Sequence, residues 1–113
     1  MKSGISITLP PSIIARAIRK MESEPEHFHS IEELTNYLQI SSKTLNKRFH
    51  EAFGVSAYQY QMNLKLKMVY SFLTQHPDER LKTIALNFGF YDEFYLSKMF
   101  KKKYGMPPSV IRG

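Results

Sequence analysis

The amino-acid sequence predicts an all-α protein of about seven helices, arranged as two helix-turn-helix subdomains joined by a long linker helix. Three observations predict this fold. Apolar residues recur at helical spacing through most of the 113 residues. The glycines and prolines fall between these apolar segments, where helices end. Two parts of the chain also resemble each other, which indicates a repeated helical unit.

The N-terminal part of the sequence predicts a tail followed by two helices. Residues 1–10 alternate only weakly between polar and apolar side chains and end in a proline, so we expect a linker or N-terminal tail there. Apolar spacing then predicts a first helix at about residues 11–22. Ser30 and Glu33 form the capping-box pattern that begins a short second helix.

The next segment predicts the end of the first subdomain and the linker helix. A third helix is expected to begin after Ser41 or Ser42 and to end at Gly54, so that the first subdomain covers residues 11–54. Residues 55–76 are the expected linker segment, and from Ser56 to about Gln75 they contain no glycine or proline and carry a wide apolar stripe, which predicts one long helix. At 1.5 Å per residue, its ~19 residues span roughly 28 Å.

The second subdomain is expected to cover residues 77–113 and to hold three helices. A short fifth helix is closed by Gly89. Asp92 is the expected N-cap of a sixth helix, and Gly105 is its stop. A proline pair that ends at Pro108 opens a last short helix.

The two subdomains are related by an internal repeat. A shift of about 51 residues lays the third helix on the sixth and matches Leu45 with Leu96, Lys47 with Lys98, Phe49 with Phe100 and Gly54 with Gly105. A shift of about 50 matches the second helix with the fifth, so the second copy has one extra residue in its turn. Each copy is a short helix, a tight turn and a longer helix with a basic outer face, which is the helix-turn-helix layout.

The charge distribution indicates a polyanionic partner. Sixteen Lys and Arg against ten Asp and Glu give a net charge of +6 and a pI of about 9.6. Five cations and one acid lie in residues 43–67, and five cations and no acid lie in residues 94–113. Two basic segments in a small domain are typical of nucleic-acid binding. From charge alone, an ordinary solvated helix surface is an equal alternative.

Several function classes are excluded by what the sequence lacks. The absence of cysteine excludes a disulfide scaffold, a cysteine zinc site and a thiol nucleophile. His27 and His29 have no third ligand at useful spacing, so we expect no metal site. No phosphate-binding loop or hydrolase motif is present, so we expect neither an enzyme nor a cofactor. Without a membrane-length apolar run or a secretory signal, the chain is expected to be cytoplasmic.

One stretch of the second subdomain resembles the signature of the AraC/XylS transcription regulators, a family of bacterial regulators. The matching run is Ile84-Ala85-Leu86-Asn87-Phe88-Gly89-Phe90-Tyr91-Asp92, followed by Leu96-Ser97-Lys98-Met99-Phe100-Lys101 and by Tyr104-Gly105-Met106-Pro107-Pro108. The resemblance covers about residues 11–112. It implies a seven-helix fold that binds double-stranded DNA sequence-specifically and places two recognition helices in successive major-groove segments.

The resemblance also implies partners and places the first set of base contacts. RNA polymerase is an expected partner, and an effector-sensing and dimerisation domain is expected outside this chain. Base contacts are expected at Lys43, Asn46 and Lys47, with Thr44 near the phosphate backbone. Asn46 can pair in bidentate fashion with adenine, and Lys47 can donate to guanine.

The equivalent face of the sixth helix is expected to supply base contacts from Glu93, Phe94, Ser97 and Lys98. Glu93 can accept a hydrogen bond from the cytosine amino group. Phe94 either offers apolar surface to a thymine methyl group or covers the turn. The aromatic residues around this turn are otherwise expected to pack in the core and the turn: Phe88, Phe90, Tyr91, Phe94 and Tyr95.

Phosphate contacts are expected at helix N-termini and from flanking side chains. The expected set is Ser41, Ser42, Thr44, His50, Ser56, Lys65, Lys101, Lys102 and Ser109. Lys65 stands where the family usually has an arginine in the linker helix, and the resemblance implies that this residue is either structural or directed at a phosphate. The alternative function is a basic helical module that binds an acidic protein or RNA.

Overall fold

A computed structural model of the protein describes residues 12–112, and these residues form seven α-helices and no strand, which confirms the predicted all-α fold. The helices are α1 (Ile13–Ser23), α2 (Ile31–Leu38), α3 (Ser42–Phe53), α4 (Ala57–Gln75), α5 (Leu81–Asn87), α6 (Glu93–Tyr104) and α7 (Pro108–Arg112). The predicted tail at residues 1–10 lies outside the described residues. No helix in the described part of the chain is both long and apolar enough to cross a membrane.

Side-chain caps set the start of most helices. Four serines have extended backbone and accept a hydrogen bond from the N–H three residues later, at 3.0–3.1 Å, in α1, α2, α3 and α4: Ser12, Ser30, Ser41 and Ser56. Asp92 accepts in the same way from Tyr95 N–H at 2.8 Å and begins α6. The capping box of Ser30 and Glu33 is present, as predicted.

Two apolar cores lie along the molecule. The first holds α1, α2 and α3 together with the start of α4, and its buried residues are Ala17, Met21, Leu34, Leu38, Leu45, Phe49 and Ala57. The second holds the rest of α4 with α5 and α6, and its buried residues are Met62, Leu66, Val69, Leu73, Ile84, Ala85, Phe90, Leu96 and Phe100. The linker helix α4 therefore contributes to both cores, and its burial ties the two units into one structure.

Candidate nucleic-acid interface

Helix α3 has an apolar inner face and a cationic outer face. Leu45 and Phe49 are fully buried in the first core. Lys43, Lys47 and His50 are exposed and lie at helical spacing on the opposite side. Within residues 12–112, no acidic side chain lies within 4.0 Å of either lysine ammonium group. Both positive charges are therefore free to meet an anion from solvent.

The N-terminus of α3 is exposed and locally ordered by its cap. The Ser41 hydroxyl accepts from Thr44 N–H at 3.1 Å and donates to the Thr44 hydroxyl oxygen at 3.0 Å. Ser41 and Ser42 are exposed, whereas Thr44 is half-buried. The unpaired N–H groups and the positive dipole end of the helix suit this exposed turn to a phosphate oxygen.

Asn46 joins α3 to the linker helix. Its side chain is half-buried, and its Oδ1 atom accepts a hydrogen bond from Ala57 N–H at 3.0 Å. Bidentate pairing with adenine needs both the oxygen and the nitrogen of the amide. The first residue of α4 engages one of the two lone pairs of this oxygen, so the bidentate contact with adenine stays a prediction.

Helix α6 repeats the arrangement of α3 in the second unit. Leu96 and Phe100 are fully buried, and the outer face carries exposed cations at Lys98, Lys101 and Lys102. In residues 12–112, none of these lysines has an acidic side chain within 4.0 Å. The two other predicted base-facing polar residues, Glu93 and Ser97, are half-buried.

Two aromatic side chains project from the start of α6 and its preceding turn. Tyr91 is 88% exposed and Phe94 is 75% exposed, so their predicted packing in the core and turn is wrong. The same prediction holds for Phe90, which is buried, and for Phe88 and Tyr95, which are half-buried against the second core. For Phe94, exposure favours apolar contact with a ligand over coverage of the turn. Sequence analysis did not predict that Tyr91 is exposed. The only signal for its exposure was its place near the extra residue in the turn of the second copy.

Lys65 is the clearest error among the predicted phosphate contacts. It is fully buried, and its Nζ atom donates to the backbone oxygens of Pro25 at 2.7 Å and Glu24 at 3.3 Å. Desolvation by burial lowers the pKa of Lys65 from 10.5 to about 8, against the opposing attraction of Glu26 and Glu24. A side chain with no solvent-exposed surface cannot reach phosphate. Lys65 instead holds the segment between α1 and α2 against α4.

The remaining predicted phosphate contacts lie at the surface. Ser109 is exposed, and Ser56 is half-buried because its hydroxyl caps α4. Their hydroxyls, and the exposed ring of His50, stay candidates for phosphate.

The two histidines of the α1–α2 loop lie beside a third donor group that the sequence pattern did not show. Donor atoms of His27, His29 and Glu33 lie within 4.8 Å of one another beside an open cleft of about 750 Å³. The reason given for expecting no metal site, the lack of a third ligand, is therefore wrong. Hydrogen bonds account for the geometry: His27 Nε2 pairs with Glu33 Oε2 at 2.8 Å, and His29 Nε2 pairs with Lys20 O at 3.2 Å.

Comparison with known protein families identifies the family of this chain. The model of a family described as helix-turn-helix domain matches residues 34–113, which is most of the chain. The chain belongs to the AraC-type helix-turn-helix family. This family and fold are those of transcription regulators rather than enzymes, which confirms the prediction of a non-enzyme.

Relatives of this AraC-type chain are named as transcription regulators. It is 27% identical over 99 residues to the HTH-type transcriptional regulator MtrA of Neisseria gonorrhoeae, covering 88% of the chain and 33% of the relative. It is 28% identical over 83 residues to the HTH-type transcriptional activator RhaS of Escherichia fergusonii, covering 74% and 30% respectively. The chain spans about a third of the length of the curated relatives it matches.

Solved structures share the fold of the AraC-type chain. The C-terminal domain of AraT, a response regulator from Geobacillus stearothermophilus, matches with a TM-score of 0.83 at 22% identity over 93% of this chain and 86% of that one. The DNA-binding domain of AdpA, solved in complex with a target DNA, matches with a TM-score of 0.79 at 19% identity over 90% and 91%. At these identities, the likeness shows the fold.

Proposed function

We propose that this chain is a sequence-specific DNA-binding unit of a transcription regulator, which places α3 and α6 in successive major-groove segments of one duplex. The observation that carries the proposal is the pair of equivalent lysines, Lys47 and Lys98, on the exposed faces of two repeated helices. The described residues extend over 49 × 35 × 22 Å, long enough for two helices about one duplex turn, ~34 Å, apart.

The proposed roles divide between base reading and phosphate anchoring. In the first unit, Lys43, Asn46 and Lys47 face the bases, and in the second, Glu93, Phe94, Ser97 and Lys98 do so. Phosphates are held by groups around the two helices, of which Thr44 and Ser56 are half-buried and the others exposed: Ser41, Ser42, Thr44, His50, Ser56, Lys101, Lys102 and Ser109. The complex of the AdpA domain, which has the same fold, supports duplex DNA as the ligand.

Three wider proposals rest on family membership. The regulator contacts RNA polymerase, an effector-sensing and dimerisation domain acts together with this unit, and the protein works in the cytoplasm, where its DNA lies.

Competition binding distinguishes the DNA proposal from the alternative function, a basic module that binds an acidic protein or RNA. Saturating mixed-sequence duplex displaces a bound ligand if the DNA proposal is right and leaves it bound if the alternative is right.

Removing both repeat-related lysines tests the base-reading role. The double substitution Lys47→Ala, Lys98→Ala is expected to weaken binding to a selected site about 30-fold, because each substitution removes a contact to a base edge. Binding to mixed-sequence duplex should fall by much less. Both affinities are measured by fluorescence anisotropy at one salt concentration.

A matched control removes the same charge elsewhere. Lys67 and Lys103 are exposed and lie together beside a groove of α4. Lys67→Ala, Lys103→Ala should weaken both duplexes equally. An equal loss on both duplexes from the Lys47 and Lys98 pair would mean that those lysines touch only phosphate.

The salt dependence of binding tests how much of the affinity is electrostatic. The interface presents lysines, which act as point charges without the planar fork of arginine. We expect roughly 6–8 phosphates to be neutralised, so that a plot of log K against log salt has a slope of about −5 to −7. Titrations between about 50 and 200 mM salt measure this slope. A slope shallower than about −2 would contradict the electrostatic account.

A further inference from the structure

The loop between α1 and α2, residues 24–29, lies at the contact between the two helix-turn-helix units. By its place in the chain it belongs to the first unit, yet it touches both the linker helix and the turn of the second unit. The contacts on these two sides come from different residues of the loop.

On the α4 side, two fully buried polar residues hold the backbone of this loop. Gln61 Oε1 accepts from His29 N–H at 2.8 Å, and Gln61 Nε2 donates to His29 O at 2.8 Å. One helical turn later, Lys65 Nζ donates to Pro25 O at 2.7 Å. Buried polar groups that complete each other's hydrogen bonds specify one arrangement, because any shift leaves them unsatisfied.

On the side of the second unit, the loop packs against the turn between α5 and α6. A Cβ atom on Gly89 would lie 2.8 Å from Phe28 N and 3.0 Å from His27 C, so the two backbones touch here. The Phe28 ring packs against the second core, with its centroid 6.3 Å from that of Phe90, and its centroid also lies 5.3 Å from that of Tyr58 at the start of α4. The first unit thereby packs a side chain against the core of the second.

The geometry points to the α1–α2 loop as the element that fixes the placement of α6 relative to α3, with Gln61 and Lys65 as positioning residues for half-site spacing. This inference rests on the proposed DNA-binding function. The linker helix sets how far apart the two units lie and packs into both cores. The loop adds a direct contact between the units, because it is hydrogen-bonded to α4 and packed on the turn before α6.

The first measurement needs no DNA. Because the chain has no cysteine, Glu51→Cys in α3 and Lys103→Cys in α6 give two nitroxide positions, both exposed. Double electron–electron resonance should give one narrow distance distribution in this background. Adding Gln61→Leu, which removes both amide hydrogen bonds at similar volume, should broaden or shift it. The control Gln75→Leu makes the same change at an exposed position of α4 and should leave it unchanged.

The second measurement uses a duplex selected from a random library with the unsubstituted protein. Inserting one or two base pairs between its halves should weaken binding about tenfold or more in the unsubstituted protein and in Gln75→Leu, because the recognition helices lose register with the groove. In Gln61→Leu the same insertions should cost less than about threefold, while affinity for each single half-site stays within about twofold.

The outcomes separate the two proposals. If the unsubstituted protein binds no duplex, the DNA proposal is wrong. The distances between the nitroxide labels would still decide the role of the loop. The inference is overturned if folded Gln61→Leu matches Gln75→Leu in both label distance and spacing dependence. If circular dichroism shows that Gln61→Leu is unfolded, Phe28→Ala decides by the same criteria, since it removes only the half-buried ring that packs against the second core.

Discussion

Replacing Gly89 with alanine is expected to lower the free energy of unfolding by about 3 kcal/mol. Two effects add at this position. Gly89 has φ +79°, a left-handed conformation that costs an L-residue with a side chain about 1 kcal/mol or more. The new Cβ would also lie 2.8 Å from Phe28 N and 3.1 Å from Glu26 O, and both are backbone atoms that cannot rotate away. The loop must move, at a cost of about 2 kcal/mol.

Two other glycines separate the conformational cost from the steric one. Gly54 and Gly105 end α3 and α6 with φ +76° and +78°, and a Cβ on either meets no atom within 4 Å. Alanine at these positions should cost only about 1 kcal/mol. Urea unfolding of the three variants measures the difference. Equal losses at all three glycines would show that the contact between Gly89 and the loop carries no energy of its own.

Stability should rise with pH through the range in which Lys65 loses its proton. The pKa of Lys65 is about 8 in the folded protein, because burial disfavours the charged form, and 10.5 is its ordinary value. Between these values the unfolded chain binds more protons than the folded one, so raising the pH stabilises the fold. The full difference corresponds to about 3 kcal/mol, of which about 1.5 kcal/mol falls between about pH 8 and 9.5.

The comparison variant for this prediction is Lys65→Met, which keeps a long side chain and removes the titrating group. Urea unfolding at several pH values should show a slope against pH that is smaller in Lys65→Met than in the unsubstituted protein. The measurements stop near pH 9.5 because Tyr58 has the opposite effect at higher pH. Its hydrogen bond with Tyr95 raises its pKa to about 12, so above about pH 10 this tyrosine makes stability fall as the pH rises. Identical slopes would mean that Lys65 is not desolvated in the folded protein.

The helices and their faces could be predicted because their signals are local. Ser30 and Glu33 lie three residues apart, and Leu45 and Phe49 lie four apart, so one short segment contains both members of each pair. The internal repeat allowed the two units to be aligned, and this alignment identified Lys98 on α6 as the equivalent of Lys47 on α3. Family membership and the all-α fold agree with these patterns.

Several features that the sequence did not show are contacts between a side chain and a distant part of the chain. Asn46 is tied to a residue 11 positions away, and Lys65 to residues 40 and 41 positions away. No periodicity links such positions. The family resemblance leaves both a structural and a phosphate-directed role open for Lys65, and only packing shows that its ammonium group binds backbone carbonyls.

The sequence by itself determined approximately where the helices lie, which faces are apolar, and that two equivalent helices carry cations outward, because caps and helical periodicity act within four residues. Only the tertiary structure decided how the two units are oriented. That orientation depends on hydrogen bonds from Gln61 and Lys65 and on the close approach at Gly89, which form when segments far apart in the chain exclude water together.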